Sequence, residues 1–142
     1  MHVREATGNN DGPQVSQYLH STGLPQGYPW CAAFVNWCHR QAGLPSPGSA
    51  RVVDWFVHQV IWHRDWRKDQ PPVESGCVMG LYYEKLGRLG HIGIIEYEDA
   101  NNYYTIEGNT NGAGSREGDG VYRKIRPKKT VAALADYTRQ EQ

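Results

Sequence analysis

Cys31 is the residue of this sequence best placed for nucleophilic chemistry. The pattern around it predicts a helix over residues 30–42, ended by Gly43 with Pro45 just beyond. A cysteine in the first turn of a helix lies near unsatisfied backbone N–H groups and the positive end of the helix dipole, which together stabilise a thiolate. Its backbone N–H can also face a developing oxyanion. The alternative is a small buried hydrophobic residue on the apolar face of the helix, a common place for cysteine.

His91 is the second candidate for chemistry. It begins a predicted strand over residues 90–97 and has Gly90 and Gly93 beside it. A strand holds a side chain more rigidly than a loop does, which suits a general base. The alternative is a histidine that is satisfied in the core or at a sheet edge. The other five histidines lie in predicted helices or polar loops, and we expect them to be solvated: His2, His20, His39, His58 and His63.

Glu107 and Asn109 are two residues apart on a predicted strand over 103–109, so their side chains project to the same face of a sheet. A hairpin that turns within residues 98–102 pairs its strands almost symmetrically about residue 100. That register places His91 close to both polar residues. A carboxylate or amide at the second ring nitrogen would fix the tautomer and orient the imidazole. The alternative is an ordinary polar strand end that leads into a loop.

The elements that must position these residues follow from the hydrophobic periodicity. Helices come first and are predicted over residues 13–21, 30–42 and 50–63, with a short terminal helix over 130–137. Strands come later and are predicted over 76–83, 90–97, 103–109 and 121–125, with a long Gly- and Asn-rich loop over 109–120. Helices followed by a run of strands are typical of an α+β fold with an antiparallel sheet.

The composition of the 142-residue chain excludes several classes of protein. Lys+Arg and Asp+Glu both number 15, so the formal net charge is zero and no global field favours a polyanion. The longest apolar run, residues 30–35, is far shorter than the about 20 residues that a membrane span needs. The N-terminus lacks the apolar segment of a secretory leader. We therefore expect no nucleic-acid partner, no membrane span and no signal peptide.

The cysteine spacing disfavours a disulfide framework. The chain has three cysteines, and Cys31 and Cys38 are seven residues apart in the predicted helix. Such a separation rises about 10.5 Å along a helix, which is too far for a disulfide. Cys77 can pair with only one of them, so at least one thiol is free. We expect Cys38 and Cys77 to be structural.

No motif in the sequence predicts a metal or a cofactor. The HExxH, CxxC, Walker and GxGxxG patterns are all missing. Residues 8–12, Gly-Asn-Asn-Asp-Gly, have a faint likeness to a calcium loop but lack its alternating aspartates and closing glutamate. We therefore expect a reaction without metal or cofactor.

Three blocks of the sequence carry a recognisable pattern. They are residues 28–38 (Tyr-Pro-Trp-Cys-Ala-Ala-Phe-Val-Asn-Trp-Cys), 90–94 (Gly-His-Ile-Gly-Ile) and 105–111 (Thr-Ile-Glu-Gly-Asn-Thr-Asn). Together they resemble the CHAP family, the cysteine- and histidine-dependent amidohydrolases/peptidases of the papain-like superfamily of cell-wall hydrolases. The resemblance extends over roughly residues 5–127, and residues 8–13 and 114–122 are similar to phage-type members.

The resemblance implies a papain-like α+β fold in which N-terminal helices pack on a small antiparallel β-sheet. It implies that Cys31 is the nucleophile, that His91 is the general base and acid, and that Glu107 orients His91. Asn109 is then a supporting polar residue. No cofactor takes part.

The implied substrate is peptidoglycan, cleaved at the amide that joins muramic acid to its first alanine or at a peptide bond of the stem peptide or crossbridge. The protein is then an endolysin-like hydrolase that works through a thioester intermediate. Tyr28 and Trp30, just before the nucleophile, are expected to bind substrate. We expect one catalytic domain over 1–142, monomeric and without a separate wall-binding module. It would act at the bacterial cell wall or periplasm after holin release or injection, and otherwise be cytoplasmic.

Two other functions stay open from the sequence. A non-catalytic module that binds peptidoglycan or peptides would keep the same scaffold, and a toxin-like effector amidase would use the same residues on another target. The intact Cys31, His91 and Glu107 argue against the first. Many relatives carry Gly-Asp where this chain has Gly76-Cys77. That departure removes a carboxylate from the start of a strand and leaves the predicted triad untouched.

Overall fold

A computed structural model describes residues 3–7, 10–25, 27–110 and 120–138. Within these residues two α-helices precede six strands. The helices are α1 (Pro13–His20) and α2 (Cys31–Gln41), and the strands are β1 (Val60–His63), β2 (Val78–Tyr83), β3 (Arg88–Glu98), β4 (Asn102–Thr110), β5 (Gly120–Pro127) and β6 (Ala133–Ala135). Short 3-10 helices lie at Val52–Phe56, Arg64–Trp66 and Lys128–Thr130. The predicted α+β class and the predicted first two helices are confirmed.

The six strands form one antiparallel sheet in the order β1-β6-β2-β3-β4-β5. In the β3–β4 hairpin, Ile94 pairs with Ile106 and Ile95 with Thr105. These pairs are symmetric about residue 100, so the predicted register is confirmed in the part of the hairpin nearest to Glu107. The register shifts by one residue nearer the turn, where Tyr97 pairs with Tyr104.

Helix α2 packs on β3 and β4, and α1 packs on α2 through its apolar residues. Proline at the first position of α1 has a φ suited to a helix start, and Val15, Tyr18 and Leu19 of that helix are buried. A second cluster, which includes Met79, fills the space on the other face of the sheet.

Glycine at position 108 allows α2 to lie close to β4. A Cβ atom added at Gly108 would lie 2.8 Å from Phe34 Cβ and 2.8 Å from the ring of Trp30. Real Cβ atoms do not approach neighbours so closely, so a larger residue would separate helix and strand. This contact sets the distance between the start of α2 and the neighbours of Gly108 on β4.

The predicted helix over residues 50–63 is wrong. A 3-10 helix at Val52–Phe56 is followed by the edge strand β1. Gln59 has a φ of 58°, in the left-handed region, which interrupts a right-handed helix at that point. The β-branched residues that follow favour a strand, and pairing with β6 fixes it.

The predicted terminal helix over residues 130–137 is also wrong. Residues Ala133–Ala135 form β6, which lies between β1 and β2 in the sheet. Alanine has a high helix propensity, but here these residues are buried and pair with a strand on each side. Tertiary pairing therefore outweighs the local preference.

The expectation that His39 is solvated is wrong. His39 is 2% exposed, and its ring packs edge-on against Trp55 with ring centroids 5.2 Å apart. Its Nδ1 lies 3.1 Å from the carbonyl oxygen of Val35. Burial lowers the pKa of His39, which keeps the ring neutral near pH 7. His20 and His58 are exposed, and His63 is half-buried.

Two further expectations concern residues near the limits of the described chain. Most of the predicted loop over 109–120, namely residues 111–119, lies outside the described residues, and Thr110 pairs with Gly120 across the gap. No helix among the described residues is long and apolar enough to cross a membrane.

Candidate active site

Cys31 is the first residue of α2, as the sequence predicts. Trp30 is the N-cap and offers no side-chain hydrogen bond to the helix, and the first turn contains no acidic residue. The first helical backbone bond runs from Phe34 N to Trp30 O. The positive end of this helix therefore lies at the Cys31 thiol with no side-chain anion of its first turn to offset it. Cys31 is 3% exposed and lines a cleft of about 420 Å³.

His91 lies on β3 and is fully buried. Its Nε2 forms a 2.7 Å hydrogen bond with Glu107 Oε1. Burial lowers the pKa of His91, but hydrogen bonds and charge interactions with Cys31 and Glu107 outweigh it and raise the pKa to about 9. The imidazolium is therefore the favoured form near pH 7.

The His91 ring also interacts with Cys31. By strict geometry the buried Nδ1 has no hydrogen-bond partner among the described residues. The same ring nevertheless interacts with the Cys31 thiol strongly enough to raise its pKa. The two side chains are thus adjacent.

Glu107 is a fully buried carboxylate with an unusually complete set of donors. Besides His91, it accepts a 2.6 Å bond from Thr105 Oγ1 on Oε2. Arg126 donates from Nε to Oε2 at 2.8 Å and from Nη2 to Oε1 at 2.5 Å. Burial raises the pKa of Glu107, but the bonds from Arg126 and His91 lower it to about 2. Glu107 is therefore charged throughout the range in which His91 titrates.

Arg126 is a residue of the candidate site that the sequence did not indicate. It is paired with Tyr103 across β4 and β5, four residues along β4 from Glu107, and its long side chain reaches back to the carboxylate. Its positive charge balances the negative charge of the Glu107 carboxylate, and it completes a cluster with Cys31, His91 and Glu107. We call these four residues the catalytic cluster. The sequence offered no signal for Arg126, since this residue lies just beyond the predicted strand over 121–125 and the register of two strands joined by a long loop does not follow from a turn.

Glycine at position 93 makes room for the Glu107 side chain. A Cβ atom added there would lie 2.6 Å from Glu107 Cγ and 2.8 Å from Met79 Cε. The glycine beside His91 in the sequence motif thus leaves space for its carboxylate partner.

Asn109 is buried on β4 but is not bonded to the catalytic cluster. Its φ is 54°, and it lies at a shift in the β4–β5 register between Glu107 and Thr110. Both Nδ2 and Oδ1 are buried and have no hydrogen-bond partner within the described parts of the chain. Such an amide is costly unless a further group satisfies it.

The two residues expected to bind substrate have different surroundings. Tyr28 is 47% exposed and lines the cleft beside Cys31. Trp30 is fully buried, stacks on Tyr18 and donates its Nε1–H to Glu5 Oε1 at 2.8 Å. Trp30 therefore holds the start of α2 in the core and offers no exposed face to a ligand.

Cys38 and Cys77 have the properties of structural thiols. Burial raises the pKa of Cys38 to about 12 and that of Cys77 to about 11. Both stay protonated near pH 7 and are poor nucleophiles. None of the chain's three cysteines forms a disulfide.

A cluster suited to a metal is not found in the described part of the chain, where no three His, Cys, Asp or Glu side chains converge. Asp11, within the segment that faintly resembles a calcium loop, instead accepts a 2.8 Å bond from the backbone N–H of Thr7.

Comparison with known proteins identifies the family. The family model of the CHAP domain matches residues 23–109, which is more than half of the chain and includes Cys31, His91, Glu107 and Asn109. No curated protein and no solved structure gives a match. The chain therefore belongs to the CHAP domain family, whose domains are hydrolases of the amidase and peptidase type that act on peptidoglycan.

Proposed function

We propose that this protein is an endolysin-like peptidoglycan hydrolase that cleaves an amide or peptide bond through a covalent thioester on Cys31. One observation carries the proposal. A continuous line of interactions runs from the Cys31 thiol through His91 to Glu107 and ends at Arg126, and it begins at the wall of a cleft. A thiol, a ring that takes its proton and a carboxylate that orients the ring form a set suited to nucleophilic acyl transfer.

In the first half of the reaction, the Cys31 thiolate attacks the carbonyl carbon of the scissile amide while His91 holds the proton. The raised pKa of His91, about 9, favours this arrangement near pH 7. The tetrahedral intermediate collapses as the C–N bond breaks, and His91 gives its proton to the leaving amine. In the second half, water attacks the thioester, His91 takes a proton from the water, and the thiol leaves with that proton as the acid product is released.

The oxyanion of each intermediate forms beside the start of α2. The backbone N–H of Cys31 lies at the positive end of the helix and serves as one donor. The backbone N–H of Cys31 is the first polar group that hydrogen-bonds to the substrate. We propose that the side-chain amide of Asn109 is the second, because it is buried and has no hydrogen-bond partner among the described residues. An Asn109→Ala variant should then lose catalytic rate more than substrate affinity.

The proposed substrate is a stem peptide or crossbridge of peptidoglycan, and the proposed place of action is the bacterial cell wall. Membership of the CHAP family supports the substrate class. A cleft of about 420 Å³, with Tyr28 at its wall, is large enough to hold a peptide segment of a few residues.

Digestion of purified peptidoglycan, followed by mass spectrometry of the soluble fragments, tests this function. The wild type should release fragments with one new amine for each new carboxylate, and the fragment masses identify the bond. Cys31→Ala should release none, whereas Cys38→Ala, on the same helix, should retain activity as the matched control. A wild type that binds peptidoglycan without cleaving any bond would instead be a binding module and would refute the proposal.

A further inference from the structure

The cleft that ends at Cys31 carries charge of one sign. Its lining is largely apolar, with Val52 and Leu89 among its side chains, and Arg51 and Arg88 are the only charged side chains among the described residues that line it. The whole chain has no net charge. The positive charge is therefore a local property of the cleft and not of the protein surface in general.

Arg51 is exposed and only weakly neutralised. It lies just before the 3-10 helix at Val52–Phe56, and 75% of its side chain is exposed. Its nearest acidic contact, Asp54 Oδ1, is 4.0 Å away, and the other oxygen of that carboxylate accepts a 2.6 Å bond from Ser49 Oγ. An exposed pair at this distance is worth little, so the guanidinium keeps most of its capacity to bind an anion.

Arg88 begins the strand that carries His91. Between Leu89 and His91 this strand has one more residue than β2, since Tyr82 pairs with Leu89 and Leu81 with His91. A bulge of this kind changes the direction of the side chains next to it. Arg88 has an exposed side chain, lines the cleft and forms no salt bridge with any described residue. It lies three residues before His91 along the strand, or about 10 Å.

We propose that Arg51 and Arg88 select peptides that carry a free carboxylate within about three residues of the scissile amide. A guanidinium binds a carboxylate through two parallel N–H···O bonds with charge assistance. A carboxamide in the same place has one acceptor and no charge. The inference rests on the proposed function and narrows its substrate class to stem peptides whose acidic residues are not amidated.

The test compares two synthetic muramyl stem peptides that differ only in their carboxylates. These groups are free in one peptide and converted to primary amides in the other. The wild type should cleave the acid form with a kcat/KM at least about tenfold above that of the amide form. Arg51→Gln and Arg88→Gln should each reduce this preference, and the double variant should remove it. Arg51→Lys keeps the charge but loses the two parallel N–H donors of the guanidinium, so its preference for the acid form should lie between those of the wild type and Arg51→Gln.

Arg123→Gln is the matched control, because it also removes one cation from an exposed side chain, 66% exposed against 75% for Arg51, and lies outside the cleft. It should keep the wild-type preference. Equal cleavage of the acid and amide forms by the wild type would overturn the inference while leaving the hydrolase function intact.

A binding measurement separates failure of the inference from failure of the proposed function. Cys31→Ala protein is titrated with the same two peptides, fluorescently labelled, and affinity is read by anisotropy. Cleavage of neither peptide by the wild type would refute the hydrolase function. Tighter binding of the acid form, lost in Cys31→Ala/Arg51→Gln/Arg88→Gln, would then still support the inference, and equal binding of both forms would overturn it.

Discussion

Replacing Glu107 by glutamine removes the negative charge from the catalytic cluster and keeps the shape of the side chain. Glutamine has a single acceptor oxygen, whereas Glu107 accepts bonds from His91, Thr105 and Arg126. The variant therefore stabilises the His91 imidazolium less and leaves the positive charge of Arg126 without its negative partner. Both losses follow from contacts that are buried in the wild type.

The effect on activity can be worked out from the pKa of His91. That pKa is about 9 in the cluster and 6.5 in an ordinary histidine. A complete return of the pKa to its ordinary value would lower the imidazolium fraction at about pH 8 about thirtyfold, and this is the upper limit for Glu107→Gln because Cys31 also raises the pKa. The pH–rate profile of Glu107→Gln should therefore have a lower maximum and an upper limb shifted toward lower pH. A profile that matches the wild type in height and in both limbs would refute the role of Glu107.

The same variant should also be less stable, because it removes one charged partner of a buried ion pair. Such a change costs roughly 3–5 kcal/mol in the free energy of unfolding. Glu96→Gln is the matched control, since it breaks the exposed pair of Glu96 with Arg123, 3.0 Å apart, and should cost less than about 1 kcal/mol. Urea denaturation of both variants measures the difference, and similar losses in the two would contradict the buried pairing.

Three further predictions concern the cluster and its support. Arg126→Met removes the cation that balances Glu107, so both limbs of the pH–rate profile should move to higher pH, opposite to the shift of Glu107→Gln, while Arg126→Lys should keep them near the wild type. Gly108→Ala places a Cβ atom 2.8 Å from Phe34, so it should cost about 1–3 kcal/mol in urea denaturation and lower kcat by separating α2 from β4. The raised pKa of His91 contributes stability that is fully present below pH 6.5 and is lost as pH rises through about 9, while the lowered pKa of Glu107 contributes stability that is present above pH 4.5 and is lost as pH falls through about 2. The free energy of unfolding, measured from about pH 2 to pH 9, should therefore be highest between pH 4.5 and pH 6.5. It should depend less on pH in Glu107→Gln.

The parts of the site that the sequence predicted are those set by local rules. The helix start at Cys31 follows from the apolar periodicity and the Gly43 stop. The proximity of His91 to Glu107 follows from one hairpin with a short turn, whose register is symmetric about residue 100. Each of these inferences needs only residues that are near in sequence or joined by a single turn.

The parts that the sequence could not predict depend on long-range pairing. Arg126 reaches Glu107 from a neighbouring strand, over four residues of offset that only a long side chain spans. The strand β6 is an alanine segment that forms no helix because β1 and β2 pair with it on both sides. Trp30, beside the nucleophile, is fully buried in the core because its neighbours include Tyr18 of α1.

The most direct test of the central claim, that Cys31 is held as a nucleophile by His91, is the rate of alkylation of each cysteine by iodoacetamide at pH 7, read by mass spectrometry of the tryptic peptides. Cys38 and Cys77 are internal controls, since burial raises the pKa of these thiols to about 12 and about 11. We expect Cys31 to be alkylated far faster than either control in the wild type and His91→Ala to remove most of this advantage. Alkylation of Cys31 no faster than that of Cys77, or a rate unchanged in a folded His91→Ala variant, would contradict the claim.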